Sequence, residues 1–199
     1  MNLKKFSIVL AVLLLCASFA IAHADSSTEA KKDDLPFPSY GSGKILVRLY
    51  TDYFCPPCRA MEPKLEPLLE DMVKRNIINL TLIDTPIYKP SSMYARYFLY
   101  ALKKKNDYDY ASTVRLILFE AAGNNISEKE KLEGLFKHKG IEYVPFDTNP
   151  VLARLNIYLQ EDKVNTTPTC VIVDGAKVEK FIGGQNIINA IERIRAKAT

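Results

Sequence analysis

The chain has 199 residues, 48% of them hydrophobic and 25% charged, which suits one globular domain with a sizeable core. Its formal charge of +4 falls to +2 if residues 1–24 are removed, because that stretch holds Lys4 and Lys5 and no acid. So even a balance argues against nucleic acid and gives no reason to expect an acidic substrate.

Residues 1–24 read as a removable secretory signal. Lys4 and Lys5 form the charged start, Phe6 to Ala22 the apolar segment, and Ala22-His23-Ala24 the small-residue cleavage pattern. An uncleaved anchor is the alternative, since the apolar run is nearly long enough to span a bilayer. Leu15 is too bulky for Cys16 to be a lipid-attachment site, and no later segment is apolar enough to cross a membrane. Export would leave Cys55, Cys58 and Cys170 in the mature chain. Three thiols cannot all pair internally, so one pair and one lone thiol is the economical reading. An oxidising compartment makes such a disulfide usable.

Residues 25–40 form a polar tail and entry loop, which continues through Gly41-Ser42-Gly43 and carries a short edge strand near its end. Ile45 to Thr51 is a buried strand, and a helix follows with Met61, Leu65, Leu68, Leu69, Met72 and Val73 on one face. Ile77 to Ile83 is the next strand, closed by Pro86 and Pro90. Four helices are then expected. The first is capped by Ser91 or Ser92 and buries Tyr94, Tyr97, Phe98, Ala101 and Leu102. The second runs from about Tyr110 to Ala122 and is apolar nearly all round at Leu116-Ile117-Leu118-Phe119. The third starts on a capping box, Ser127 to Glu130, and stops at Gly140. The fourth opens at Asn149-Pro150 with Val151, Leu152, Leu155 and Leu159 inward. Thr169 to Val173 and Lys177 to Ile182 make a hairpin about Asp174-Gly175, and a last helix aligns Ile187, Ile188, Ile191 and Ile194.

The stretch between the first strand and its helix is Cys55-Pro56-Pro57-Cys58. Backbone N–H groups and the dipole at a helix N-terminus favour a thiolate over a thiol, and a spacing of two lets the pair close into a disulfide. The pattern points to redox chemistry. Strand, C-P-P-C and helix, then Thr167-Pro168-Thr169 opening a strand–turn–strand–helix finish, resemble the thioredoxin fold. Pro63, eight positions after Cys55, matches the proline inside the active-site helix of that fold. The long stretch from Cys58 to Pro168 is similar to the inserted helical domain of DsbA-like thiol oxidoreductases, and the likeness covers about residues 40–197.

The resemblance implies an α/β class, a thioredoxin fold with an inserted helical domain. Residues 41–88 and 165–199 would form the thioredoxin-fold domain and residues 89–164 the insertion. It implies catalytic roles for Cys55 as nucleophile and Cys58 as resolving thiol, about the dipeptide Pro56-Pro57. It also implies a cis Pro168 that faces the pair, with Thr167 and Pro168 binding an extended substrate segment. Two positions depart from the pattern. Leu49, six before Cys55, stands where a buried acid usually shuttles protons, leaving Asp52 and Glu62 as candidates. Pro57 replaces the histidine of strongly oxidising DsbA proteins and supplies neither charge nor N–H, so an intermediate to reducing couple is expected.

Other readings stand beside these. The pair could be an inert bridge. A metal site lacks a second Cys pair, and His138 is the only histidine after residue 24; a c-type haem needs His where Arg59 stands. Cys170 reads as core packing, with a regulatory thiol as the alternative. The tyrosines at 94, 97, 100, 108 and 110 read as core and rim, and Lys103-Lys104-Lys105 as a solvated helix end. Three glycosylation-type triplets, at Asn79, Asn125 and Asn165, are of a kind common by chance.

The sequence therefore leads to an exported thiol–disulfide oxidoreductase, periplasmic or secreted, without cofactor or metal and not binding nucleic acid. Its partners would be exported proteins with thiols or disulfides and a membrane redox protein that recycles the cysteines. Dedicated isomerases of this family carry an N-terminal dimerisation domain that is not seen here, which favours a monomer. The alternatives are a periplasmic reductase or isomerase, and a non-catalytic, chaperone-like binding module.

Overall fold

The computed structural model describes residues 35–198, so the expected leader at 1–24 lies outside the described residues. Five strands form one mixed sheet in the order β1-β3-β2-β4-β5: β1 (Ser39–Tyr40), β2 (Ile45–Thr51), β3 (Ile78–Asp84), β4 (Thr169–Asp174) and β5 (Lys177–Ile182). β2 is central, parallel to β3 with Thr51 opposite Asp84, and antiparallel to β4 with Leu49 opposite Cys170. The helices are α1 (Pro56–Lys74), α2 (Ser91–Lys104), α3 (Tyr108–Gly123), α4 (Lys129–His138), α5 (Asn149–Glu161) and α6 (Gly184–Lys197). The expected edge strand is β1, which pairs antiparallel with β3.

Alternation along β2 assigns the helices to the two faces of the sheet. Val47, Leu49 and Thr51 look toward one face, where Thr51 meets Arg115 of α3 and where α1 packs against α3 and α6. Arg48 and Tyr50 look the other way. There Arg48 makes a two-pronged pair with Asp162 at 2.6 and 2.7 Å, and the Tyr50 hydroxyl donates to Asp162 at the end of α5. Asp162 precedes the loop that leads into β4, so this clamp fixes where that loop begins. Cys170 is fully buried, as expected of a core thiol, and burial pushes it up to about 12.

Gly41-Ser42-Gly43 lets the β1–β2 connection press onto the start of β3. A Cβ at Gly43 would stand 2.2 Å from the Ile77 carbonyl, and Gly41 adopts φ +81°. Gly43→Ala is expected to cost about 3 kcal/mol through the forced backbone shift, read from urea unfolding at unchanged m-value. A cost below about 0.5 kcal/mol would show that the contact yields freely.

Several helix starts differ from expectation. α2 is preceded by Pro90 with no side-chain cap, because the Ser91 hydroxyl donates to Asp52 instead. α3 starts at Tyr108, two residues early, since Asp107 caps it by accepting from the Tyr110 N–H at 2.9 Å. The capping box at Ser127 does not form. α4 starts at Lys129 with Glu128 in the cap position, and the Glu128 carboxylate pairs with Lys131 at 2.9 Å. The hairpin loop is Gly175-Ala176, one residue beyond the expected turn, with Gly175 at φ +59°.

Candidate functional site

β2 ends at Thr51, and the next four residues turn the chain into α1. The turn is held by one carboxylate. Asp52 is 1% exposed and accepts four hydrogen bonds: from the Phe54 N–H at 2.7 Å and the Ser91 hydroxyl at 2.6 Å on Oδ1, and from the Ile87 and Tyr88 N–H groups at 2.7 and 3.1 Å on Oδ2. It thereby ties the β2–α1 turn to the β3–α2 loop and the first residue of α2. Asp52 was one of two candidates for proton transfer; the structure places it as an anchor with both oxygens occupied.

Cys55 is the residue before the first helical turn of α1, with Pro56 and Pro57 occupying its first two positions. Neither proline has an N–H, so two of the donors that usually face an anion at a helix N-terminus are missing, and Cys58 carries the first that remains. The Arg59 guanidinium donates to the Phe54 carbonyl at 2.9 Å and bridges back over the turn. Cys55 and Cys58 are free thiols, 4% and 0% exposed. Cys55 is the slightly less buried of the two residues. Burial drives the Cys58 thiol far above its ordinary value, and the adjacent Cys55 adds to this, while hydrogen bonding from the Asp52 backbone and Thr167 opposes it.

The loop before β4 closes over the pair. The Thr167–Pro168 peptide bond is cis, and the Cys55 thiol donates to the Thr167 carbonyl at 3.4 Å. Thr169 pins the loop from below, its hydroxyl donating to the Thr166 carbonyl at 2.7 Å. The Pro168 carbonyl accepts from the N–H of Gly183, the residue before α6, at 3.0 Å. The structure thus brings the Cys55–Cys58 pair and Thr167-Pro168, more than a hundred residues apart in sequence, together at one end of the central strands.

One turn after Cys58 along α1, Glu62 opens a group of buried charged residues that the sequence named only in part. Glu62 pairs with Arg115 of α3, which is also within reach of Thr51 and Asp84. Glu62 was a candidate; Arg115 and Asp84 were missed. Spacing could have found Arg115, because Ala111, Arg115, Leu118 and Ala122 share one helical stripe that is otherwise apolar. Among the described residues, no group of three or more His, Cys, Asp or Glu side chains is placed to hold a metal ion.

A family model described as thioredoxin matches residues 42–193. The chain belongs to the thioredoxin family. The match runs from before β2 into α6 and takes in Cys55 and Cys58. No functionally curated protein matches this thioredoxin-family sequence. Among solved structures it shares a DsbA-like fold with the alpha-DsbA1 of Wolbachia pipientis, at a TM-score of 0.62 and 13% identity, covering 81% of this chain and 92% of that one. A periplasmic thioredoxin-like protein of Salmonella enterica serovar Typhimurium matches at 0.57 and 19% identity, over 83% and 92% of the two chains. The catalytic domain of Proteus mirabilis ScsC matches at 0.58 and 17% identity, over 84% and 96%. At these identities the likeness is one of fold, and it confirms the α/β thioredoxin architecture expected from the motifs. No helix among the described residues is long and apolar enough to cross a membrane.

Proposed function

We propose that this thioredoxin-family protein is an exported thiol–disulfide oxidoreductase that exchanges disulfides with protein substrates through Cys55 and Cys58. The observation that carries the proposal is the placement of the Cys55 thiol before α1 and 3.4 Å from the carbonyl of Thr167, with Cys58 fully buried three residues further into the helix. Cys55 is the sulfur that substrate reaches. An extended substrate segment takes the place of the Cys55 thiol on the Thr167 backbone, beside Pro168, which sets its sulfur in line with Cys55. Cys58, lying deeper, resolves the mixed disulfide. No bound cofactor is needed, since electrons pass through sulfur. Exported proteins with thiols or disulfides are the substrates, and a membrane redox partner restores the pair. The names of the neighbours, DsbA1 and a periplasmic thioredoxin-like protein among them, support the same compartment and chemistry.

Direction follows from the dipeptide. With Pro56 and Pro57 at the first two helical positions, the Cys55 thiolate lacks two of the backbone donors that stabilise such an anion, and no histidine supplies a charge. Equilibration of the Cys55–Cys58 couple against a glutathione buffer series is expected to give a potential in the more reducing half of the span from about −120 to about −270 mV. A value at the oxidising end would overturn the argument from Pro56 and Pro57 and mark the protein as a disulfide donor. Absence of any reversible couple would overturn the enzyme reading and leave a binding module on the same fold.

A further inference from the structure

Arg59 follows Cys58 directly, and its half-buried side chain is fixed in place over the turn that carries Cys55. Nη1 donates to the Phe54 carbonyl at 2.9 Å and lies 3.5 Å from the carbonyl of Tyr53. The Phe54 carbonyl belongs to the peptide that joins Phe54 to Cys55, so the guanidinium stands within one residue of the nucleophile. Its stem runs past the end of α3, where a Cβ on Gly123 would meet Arg59 Cδ at 3.9 Å.

One edge of this guanidinium is uncommitted. Nε and Nη2 make no hydrogen bond to any described residue. Neither is sealed from solvent, because Asp84 Oδ1 is the one buried side-chain polar atom without a partner among the described residues. The acids close by are held elsewhere. Arg115 takes Glu62, Lys139 takes Glu120 at 3.2 Å, and Asp52 is committed to its four donors. Two other arginines show what this edge does in the same protein. Arg48 donates from Nε and Nη2 to the two oxygens of Asp162, at 2.6 and 2.7 Å, and Arg115 does the same to Glu62, at 3.2 and 3.1 Å. The parallel N–H bonds of that edge match the paired oxygens of a carboxylate.

We propose that Arg59 is a specificity-determining residue that favours substrates with an aspartate or glutamate next to the reacting cysteine. The inference rests on the oxidoreductase reading and names a substrate class for it. The charge balance of the whole chain gives no reason for such a preference; one pinned cation at the site does. The spans agree. A disulfide to Cys55 sets the Cα of the substrate cysteine about 4.4–6.8 Å from that of Cys55. The neighbouring substrate Cα is about 3.8 Å further on. A carboxylate on that neighbour reaches the Nε–Nη2 edge while the substrate backbone lies on Thr167. The contact is an ion pair only, and no bond to Arg59 forms or breaks during exchange.

The test compares rates of exchange between the reduced protein and three peptide disulfides. In one, glutamate adjoins the cysteine; in the second, glutamine replaces it; in the third, the glutamate lies about six residues away. At low salt the adjacent glutamate should speed exchange about tenfold over glutamine, as a hydrogen-bonded charge pair allows. That ratio should fall towards one near about 1 M salt, and the distant glutamate should give no comparable gain. Arg59→Gln should abolish the preference, and Arg59→Lys should keep only part of it, since an ammonium lacks the paired edge. Each ratio is taken on one protein, so any general effect of a substitution on the turn cancels. Equal rates for the glutamate and glutamine peptides with the unsubstituted protein overturn the inference without recourse to a variant. A preference that survives Arg59→Gln, or that the distant glutamate matches, overturns it too. No exchange with any of the three peptides overturns the oxidoreductase reading, and this inference with it.

Discussion

Replacing Arg115 by alanine is expected to destabilise the protein by about 3–5 kcal/mol at neutral pH, measured by urea unfolding. The side chain is almost wholly buried, and its removal strands Glu62 and Asp84 without a cation. The loss should shrink in acid, because protonated carboxyls no longer need the guanidinium. The sign is fixed by Asp84 itself. Its folded value of about 7 lies above the ordinary 3.8, so its contribution to stability is fully present below about pH 4 and lost as pH rises through 7. The parent protein should weaken over that window, and Arg115→Ala should make the decline steeper. Exchanging all three charged groups together for apolar ones, Arg115→Met with Glu62→Met and Asp84→Leu, should recover most of the stability, since an apolar replacement of a buried ion cluster is often neutral or better. A cost for Arg115→Ala that is below about 1 kcal/mol and flat with pH would show that water reaches the cluster.

The second large effect is expected at Asp52. Asp52→Ala removes the acceptor for three backbone N–H groups and one hydroxyl. With hydrogen bonds to a charged group contributing about 1.5–3 kcal/mol each and some donors regaining water, the net cost should be about 3 kcal/mol or more. The local result distinguishes this from general weakening. Ile87 and Tyr88 should lose amide hydrogen-exchange protection ahead of the sheet, and thiol exchange at Cys55 should fall because the turn that sets it before α1 is no longer held. Asp52→Asn should be intermediate, as one oxygen can still accept. Unchanged protection at both amides would mean that the β3–α2 loop is fixed by other contacts.

The fold was legible wherever one segment carries its own signal. β2 has the predicted bounds because its apolar run is flanked by polar turns, and β3 starts one residue late because Ile77 closes α1, its N–H bonding the Met72 carbonyl at 2.9 Å. The cysteine pair and the Thr-Pro-Thr strand start were legible as motifs. Polar side chains that serve distant partners were not. Ser91 and Ser127 have the composition of caps, but Asp52 claims the first from 39 positions away and the chain enters α4 after the second. Asp84 looks like the polar end of a strand, and Arg115 like an interruption in an apolar helix. Their meaning lies in a contact with Glu62 on a third element, which no local periodicity encodes.

Arg115 also bears on how freely this protein could be rebuilt. It belongs to α3, among the helices that intervene between β3 and β4, yet its charge answers a carboxylate on α1 and another on β3. Those helices therefore cannot be trimmed away to leave a minimal scaffold, nor traded for the equivalent stretch of a relative, without also refitting positions 62 and 84. A chimera that imports a leucine at position 115 would need neutral partners imported with it. Compatibility between transplanted helices and the host sheet would be decided by this one guanidinium before any surface contact came into play.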